Sequence, residues 1–406
     1  MRMSSSMLND AAVSAMLQDQ SLLAKTQNQL ATGKRINTPA DDPVAAVQLL
    51  GLDNATSQYQ QYLANGQSAK TRLTLQEQAL ADATTTLQSI RDLVVQANSG
   101  TNNPSDLKAI ATQIGSLEQQ LQSIGNRQDA QGDYLFSGYS TSVQPFVRGS
   151  SGAMTYAGDS GARTIQLDSG TAVQLGDPGS SIFMGVATGN GTFSTAAGAA
   201  NTGTGVIDTG SITSQAAWVA GVYTINFTDA THWQVSDAAG NPVTDASGNP
   251  VAGTYDGSSG TIAFKGIQVG ISGAPAAGDH FTVAPSGRSS VFDTLDKLVS
   301  SLNGAGGGSA AGAQLSSALG GTLQQLDQAS SQISSVTTNV GARLALIGTT
   351  ATALNNQSTT VATQVSSLRD VDYASATALY SQQYLALQAA QASYAQIGQL
   401  SLFKYL

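Results

Sequence analysis

The sequence predicts an α+β multidomain protein: long N- and C-terminal coiled-coil helices form a rod, and a central all-β insertion domain interrupts it. Three observations predict this. Between residues 52 and 97, alternating steps of three and four select Leu52, Ala55, Tyr59, Tyr62, Gly66, Ala69, Leu73, Gln76, Leu80, Ala83, Leu87, Ile90, Val94 and Ala97, and only Gly66 and Gln76 break the apolar run. A 3.5-residue repeat held this long is a coiled-coil seam, because supercoiling keeps such a stripe on one partner. A second seam runs from Leu315 to Leu368. Between residues 143 and 288 the helical spacing vanishes, and short alternating runs appear among Gly, Thr and Asp.

The totals narrow the function. The chain has 406 residues, 11% of them charged, and a net charge of −9. A large basic surface for nucleic acid is not expected. With no cysteine, disulfides, thiolate metal sites and cysteine nucleophiles are excluded. No apolar run approaches the ~18 residues of a membrane helix, and a signal-peptide core is not expected in the first thirty residues. Secretion, if it occurs, is expected to read something other than a cleaved apolar signal.

The first helix carries Val13, Met16, Gln20, Leu23, Gln27 and Leu30 and ends near Gly33. Two glutamines among six positions make it weak alone, so it needs partners to fold. The segment from Gly33 to Pro43 reads as a loop and a new start, with Asp42 suited to the N-cap and Pro43 to the first helical position. The long helix, ~70 Å at 1.5 Å per residue, stops at Asn98-Ser99-Gly100. Asn103-Pro104 then starts a third, carrying Leu107, Ile110, Ile114, Leu117, Leu121 and Ile124. The short connection predicts an antiparallel hairpin.

Thr164-Ile165-Gln166-Leu167, residues 222–227 and Thr261-Ile262-Ala263-Phe264 read as strands. Asp237-Ala238-Ala239-Gly240-Asn241-Pro242-Val243 is nearly repeated from Asp245 to Val251, and both copies read as turns. Helical spacing resumes at Ser290, where Ser290 and Asp293 fit a capping box ahead of Leu295, Leu298 and Leu302. Residues 304–312 read as a flexible interruption before the second long seam. The last helix, from about Asp370, has two apolar stripes: Val371, Ala378, Leu385, Ala389 and Ala392, then Leu379, Ala386, Ala390, Ile397 and Leu400. A helix apolar on two faces packs against more than one neighbour, here other subunits.

Several of these stretches resemble the flagellin superfamily, and within it the hook–filament junction family, hook-associated protein 3. They are Met1-Arg2-Met3-Ser4-Ser5-Ser6-Met7, Gln29 through Pro43, Gly132-Asp133-Tyr134-Leu135-Phe136-Ser137-Gly138-Tyr139, Asn339-Val340-Gly341-Ala342-Arg343-Leu344, and the ending Leu400-Ser401-Leu402-Phe403-Lys404-Tyr405-Leu406. The Thr-Gly-Lys-Arg-Ile-Asn and Asp-Asp-Pro stretch is shared with flagellin. The Tyr-Leu-Phe-Ser-Gly crossover and the Leu-Ser-Leu-Phe ending favour the junction branch.

The resemblance implies a flagellin-like rod in nested layers. Residues 1–40 and 369–406 form an inner, channel-side domain, 41–142 and 289–368 the helical rod, and 143–288 an outward β-rich insertion. It implies a non-enzymatic structural adaptor of the bacterial flagellum, extracellular at the hook–filament junction. Its implied partners are other copies of itself in a ring, the other junction protein, flagellin, an export chaperone and the type III secretion apparatus, with neither nucleic acid nor membrane. The expected subunit interface is Val13, Met16, Leu23, Leu30, Val371, Leu379, Leu385, Ala389, Ile397, Leu400 and Phe403, with Lys34 and Arg35 as intersubunit charges. A minor flagellin, or a secreted coiled-coil adhesin whose β domain binds a ligand, are the alternatives.

Other chemistry is weaker. Gly158-Asp159-Ser160-Gly161 is similar to the nucleophile segment of chymotrypsin-like proteases, but both histidines, His232 and His280, lie downstream, so it reads as a turn. Two histidines 48 residues apart give no metal-ligand spacing. Asp41-Asp42 is accounted for by capping rather than acid–base work. No catalytic residue, metal or cofactor is expected.

Overall fold

The computed structural model describes residues 5–150, 152–257 and 259–399. Six helices frame it: α1 (Ser5–Thr32), α2 (Pro43–Ala97), α3 (Pro104–Gly125), α4 (Val291–Asn303), α5 (Ser309–Arg369) and α6 (Tyr373–Gln399). Strands fill residues 146–289. The chain divides into two compact units, residues 1–64 with 349–406 and residues 65–348.

The helix starts follow their caps. Asp42 accepts the Ala45 amide at 3.0 Å, with Pro43 opening α2. Asn103 and Asp106 close a reciprocal box at α3. At α4 the Ser290 hydroxyl accepts the Phe292 amide. The interruption before α5 is shorter than expected, since residues 309–312 are already helical.

In the 65–348 unit every α2 seam position from Gly66 to Ala97 is buried. Facing it along α5, Leu319, Leu326, Ala329, Ile333, Val336, Val340 and Ile347 are buried too. The helices run antiparallel: Asn98 bonds Ser316, Arg91 pairs with Asp327 at 3.0 Å, and Gly66 lies beside Ile347. The two breaks in the seam have physical causes. Gly66 leaves room for Ile347 and Leu167, which a Cβ would just touch at 3.7 and 3.8 Å. Gln76 is 1% exposed and donates to Asp177, which Arg343 of α5 grips at 2.7 and 2.9 Å. A planar guanidinium matches a carboxylate in this two-pronged way.

The strand-rich segment has two parts. Phe146, Met154, Leu167, Val173, Ile182, Phe183 and Val186 belong to the helical core. Phe146 packs on Phe183 and on Phe292 of α4, with centroids 5.5 and 5.3 Å apart. The expected boundary at residue 143 thus falls inside this core. A second core, from Phe193 to Val283, is built by strands and the turns between them, with no helix among the described residues. Its five-stranded antiparallel sheet is ordered Ala252–Thr254, His232–Asp237, Tyr223–Phe227, His280–Pro285, Phe193–Ala197. A second sheet pairs Ser259–Phe264 and Val206–Ile207 with Ile267–Ser272. Burial alternates along Tyr223–Phe227 and Ile267–Ser272, the period-two signature of a half-buried strand.

Candidate functional site

In the unit formed by residues 1–64 and 349–406, α1 and α6 pack against each other. On α1 the contact includes the expected Met16, Leu23 and Leu30, whereas on α6 it is a third stripe that shares only Ala390 with those expected. On α6 the covered positions are Ala376, Tyr380, Gln383, Leu387, Ala390 and Tyr394; on α1 they are Ala12, Met16, Asp19, Leu23, Thr26 and Leu30. The Thr26 hydroxyl lies 2.8 Å from the Gln383 amide oxygen. Spacing alone could have revealed the α6 stripe, but Tyr, Gln and Ala give it little apolar contrast.

Of the expected interface residues, Met16, Leu23, Leu30 and Val371 are half-buried within the chain. Val13, Leu379, Leu385 and Ala389 are exposed. Leu385 at 64% and Leu17 of α1 at 61% show how much apolar surface the pair leaves open. Leu400, Phe403 and the Ile397 side chain lie outside the described residues.

Four helix ends meet in one joint. Gly33, at φ +71°, ends α1 in the left-handed conformation glycine adopts without strain. Its carbonyl accepts the Val371 amide at 3.0 Å, the Arg35 amide donates to the Arg369 carbonyl at 2.6 Å, and the backbones of Lys34 and Asp370 pair as an isolated antiparallel bridge. The Arg35 guanidinium donates to the Leu368 carbonyl at 2.7 Å, capping the α5 end, and reaches Asp42 at 3.5 Å. Lys25 of α1 pairs with Asp41 at 2.9 Å. That ammonium and the Thr38 and Asn37 amides hold the Asp41 carboxyl far below the usual carboxylate range. Both carboxylates of the Asp-Asp-Pro stretch therefore tie the joint together.

The crossover after α3 is a second clasp, in the 65–348 unit. Asp159 accepts the Tyr139 and Ser140 amides, the Ser140 hydroxyl and the Gly161 amide, all at 2.8–2.9 Å. Led by the Tyr139 amide, these donors bring its pKa down to about 2. A Cβ at Gly138 would lie 2.3 Å from the Asp159 carboxylate, so glycine is required there, at φ +74°. The Gly158-Asp159-Ser160-Gly161 stretch is thus the receptor for the Tyr-Leu-Phe-Ser-Gly-Tyr crossover, a role that its turn composition does not signal.

The remaining candidates hold local turns. His232 pairs with Asp229 at 2.9 Å, and the Thr231 backbone and hydroxyl, with His232, bring Asp229 down to about 2. Asp237 and Asp245 each accept two amides of their own turn, with Gly240 and Gly248 at φ +84° and +85°. Among the described residues no group of three His, Asp or Glu stands close enough to share a metal ion, and no helix is long and apolar enough to cross a membrane.

Comparison with known proteins places this architecture. The crystal structure of flagellar hook associated protein-3 from Legionella pneumophila superposes with a TM-score of 0.74 at 30% identity, over 78% of this chain and 98% of that one. FlgL of Xanthomonas campestris gives 0.70 at 34% identity, over 77% and 98%. This chain belongs to the flagellar hook-associated protein 3 family. Residues 3–141 match the bacterial flagellin N-terminal helical region and 323–406 the C-terminal helical region. Residues 196–285, the strand-built core, match the D2-like domain of flagellar hook-associated protein 1. Hook-associated protein 3 of Salmonella typhimurium is 34% identical over 152 residues, 37% of this chain and 48% of that protein. For Escherichia coli the values are 35% over 146 residues, 36% and 46%. The chain thus spans about half the length of the curated relatives it matches. The expected fold class, terminal helices flanking a central β-rich region, is the one observed.

Proposed function

We propose that this chain is a non-enzymatic structural subunit of the bacterial flagellum that joins hook to filament outside the cell, packing its terminal helices against neighbouring copies. The observation that carries this reading is the pair of helices α1 and α6, which cover one stripe each and leave Val13, Leu17, Leu379 and Leu385 open. An unpartnered apolar face of this extent is completed by association. Residues 1–40 and 369–406 are assigned to the inner, channel-side layer, 41–142 and 289–368 to the rod, and residues 193–285 of the insertion to the outward face. The flagellar junction protein FlgL of Legionella pneumophila, 30% identical and matched over 99% of its length, supports the junction role. The other junction protein, flagellin, an export chaperone and the type III secretion apparatus follow as partners.

The test is complementation of a strain lacking its own copy. The parent chain should restore filaments, while Leu385→Asp, which places a charge on an exposed seam, should be secreted and leave bare hooks. Filaments in that strain would remove the role assigned to this face. A monomer that binds a surface ligand without hooks would favour the adhesin.

A further inference from the structure

The two buried clusters of the 65–348 unit share no residue: the helical one includes Val186 and resumes at Val291, and the strand-built one lies between Phe193 and Val283. Residues 187–192 and 284–290 connect them. These links pair as a ribbon, Val186 and Ala187 opposite Ser289 and Arg288. The Thr188 amide donates to the Gly287 carbonyl at 3.0 Å, and the Ser286 hydroxyl to the Thr188 carbonyl at 2.7 Å. Next to the ribbon, Gly189 and Gly191 turn the chain at φ +59° and +86°. A Cβ at Gly189 would lie 2.1 Å from the Phe193 carbonyl oxygen, so glycine is required at the exit.

Beside the ribbon a cleft of about 810 Å³ separates the strand Phe193–Ala197 from α4 and α5. Ser194, Ser301, Ser317, Thr322 and Gln325 line it. Gln314 of α5 reaches across: its amide nitrogen lies 2.9 Å from the Asn201 carbonyl and 3.2 Å from that of Ala199. We propose that the strand-built domain swings as a rigid body on the two-stranded ribbon, with Gln314 as the catch that holds it closed.

Three features support a swing. The two apolar clusters share no residue, so opening divides neither, and Leu298 and Leu319 are the buried helical-core residues that line the cleft. The cleft walls carry hydroxyls and amides that water can satisfy as it widens. A two-stranded ribbon resists twisting and bending less than a wide sheet does. One amide donor shared by two carbonyls contributes roughly a fivefold bias toward the closed state. The inference concerns the free chain and stands apart from the junction reading.

The chain has no cysteine, so Ser247→Cys and Ser335→Cys, at exposed positions of the strand domain and of α5, carry two spin labels uniquely. Pulsed dipolar spectroscopy on the full-length protein reads the distance distribution. Adding Gln314→Ala should raise the open population roughly fivefold relative to the closed one. A Thr213→Cys and Ser247→Cys pair, internal to the strand domain, should not change. Superimposable distributions with and without Gln314→Ala would overturn the proposal. So would equal broadening of the internal pair, which would report a loosened domain rather than a swing.

Discussion

Gly66 and Gln76, the two residues that spoil an otherwise apolar seam, respond to substitution in different ways. The Gly66 Cβ position meets Ile347 and Leu167 at ordinary contact distance. Gly66→Ala should therefore stabilise the chain by about 0.5–1 kcal/mol, through helix propensity and reduced freedom of the unfolded chain. Gly66→Leu should destabilise it by overpacking; chemical denaturation of both variants checks the pair. Gln76 is a specific contact to Asp177, and its buried amide oxygen has no protein hydrogen-bond partner. Asp159, at the crossover clasp, makes a contribution with a pH signature. Its folded pKa, about 2, lies below the ordinary 3.8. Its stabilisation is therefore present above the unfolded value and lost as pH falls through the folded one. Asp159→Asn should lower the melting temperature at pH 7, and the gap to the parent should close between pH 4 and pH 2. A gap unchanged across that range would mean the carboxylate charge is not what holds the clasp.

At the scale of elements, legibility tracked contrast. The α2 and α5 seams could be read because Leu, Ile and Val stand against polar neighbours at steps of three and four, and none of those α5 positions is exposed. The α1 side of the α1–α6 contact was read through Met16, Leu23 and Leu30, but its α6 side was hidden, because that stripe is Ala376, Tyr380, Gln383 and Leu387, while the more apolar Leu379 and Leu385 face outward. The joint at Gly33 was half legible. Loop, cap and glycine followed from local rules, but Arg35 reaching Leu368 pairs residues 333 apart, which no local spacing encodes. This separation of stripes predicts different phenotypes for neighbouring leucines. Leu387 is 8% exposed and Leu385 is 64% exposed. Leu387→Asp buries a charge between α1 and α6 and should reduce helical signal in the isolated protein. Leu385→Asp should leave that signal intact and act only on assembly. Circular dichroism of the two purified variants separates these outcomes. Equal loss of helix in both would mean that a different stripe holds α6 to α1.

For the whole molecule, composition changes near residue 143 but packing changes near residue 190. Residues 146–186 are strand-rich, with Gly, Thr and Asp turns, yet Phe146, Ile182, Phe183 and Val186 are at most 1% exposed within the helical core. Turn-rich composition marks how a segment folds locally and says nothing of which core it joins. Two deletions distinguish the boundaries. Replacing residues 193–283 with a short Gly-Ser linker removes a cluster that shares no residue with the helical one. The remaining rod should keep the melting temperature of its helices, and the ribbon at Val186–Ala187 and Arg288–Ser289 provides two adjacent ends to join. Replacing residues 150–285 also removes Met154, Leu167, Val173, Ile182, Phe183 and Val186 from the helical core. Each large-to-nothing loss of that kind costs about 2–5 kcal/mol, and several together exceed the ~5–15 kcal/mol that a folded domain has to spare. The larger deletion should therefore unfold the rod, while the smaller leaves it intact and exportable. Both are read by the cooperative helical melt of the purified chains. If the two deletions melted alike and at the parent temperature, the segment 146–186 would be an ornament on the rod rather than part of its core.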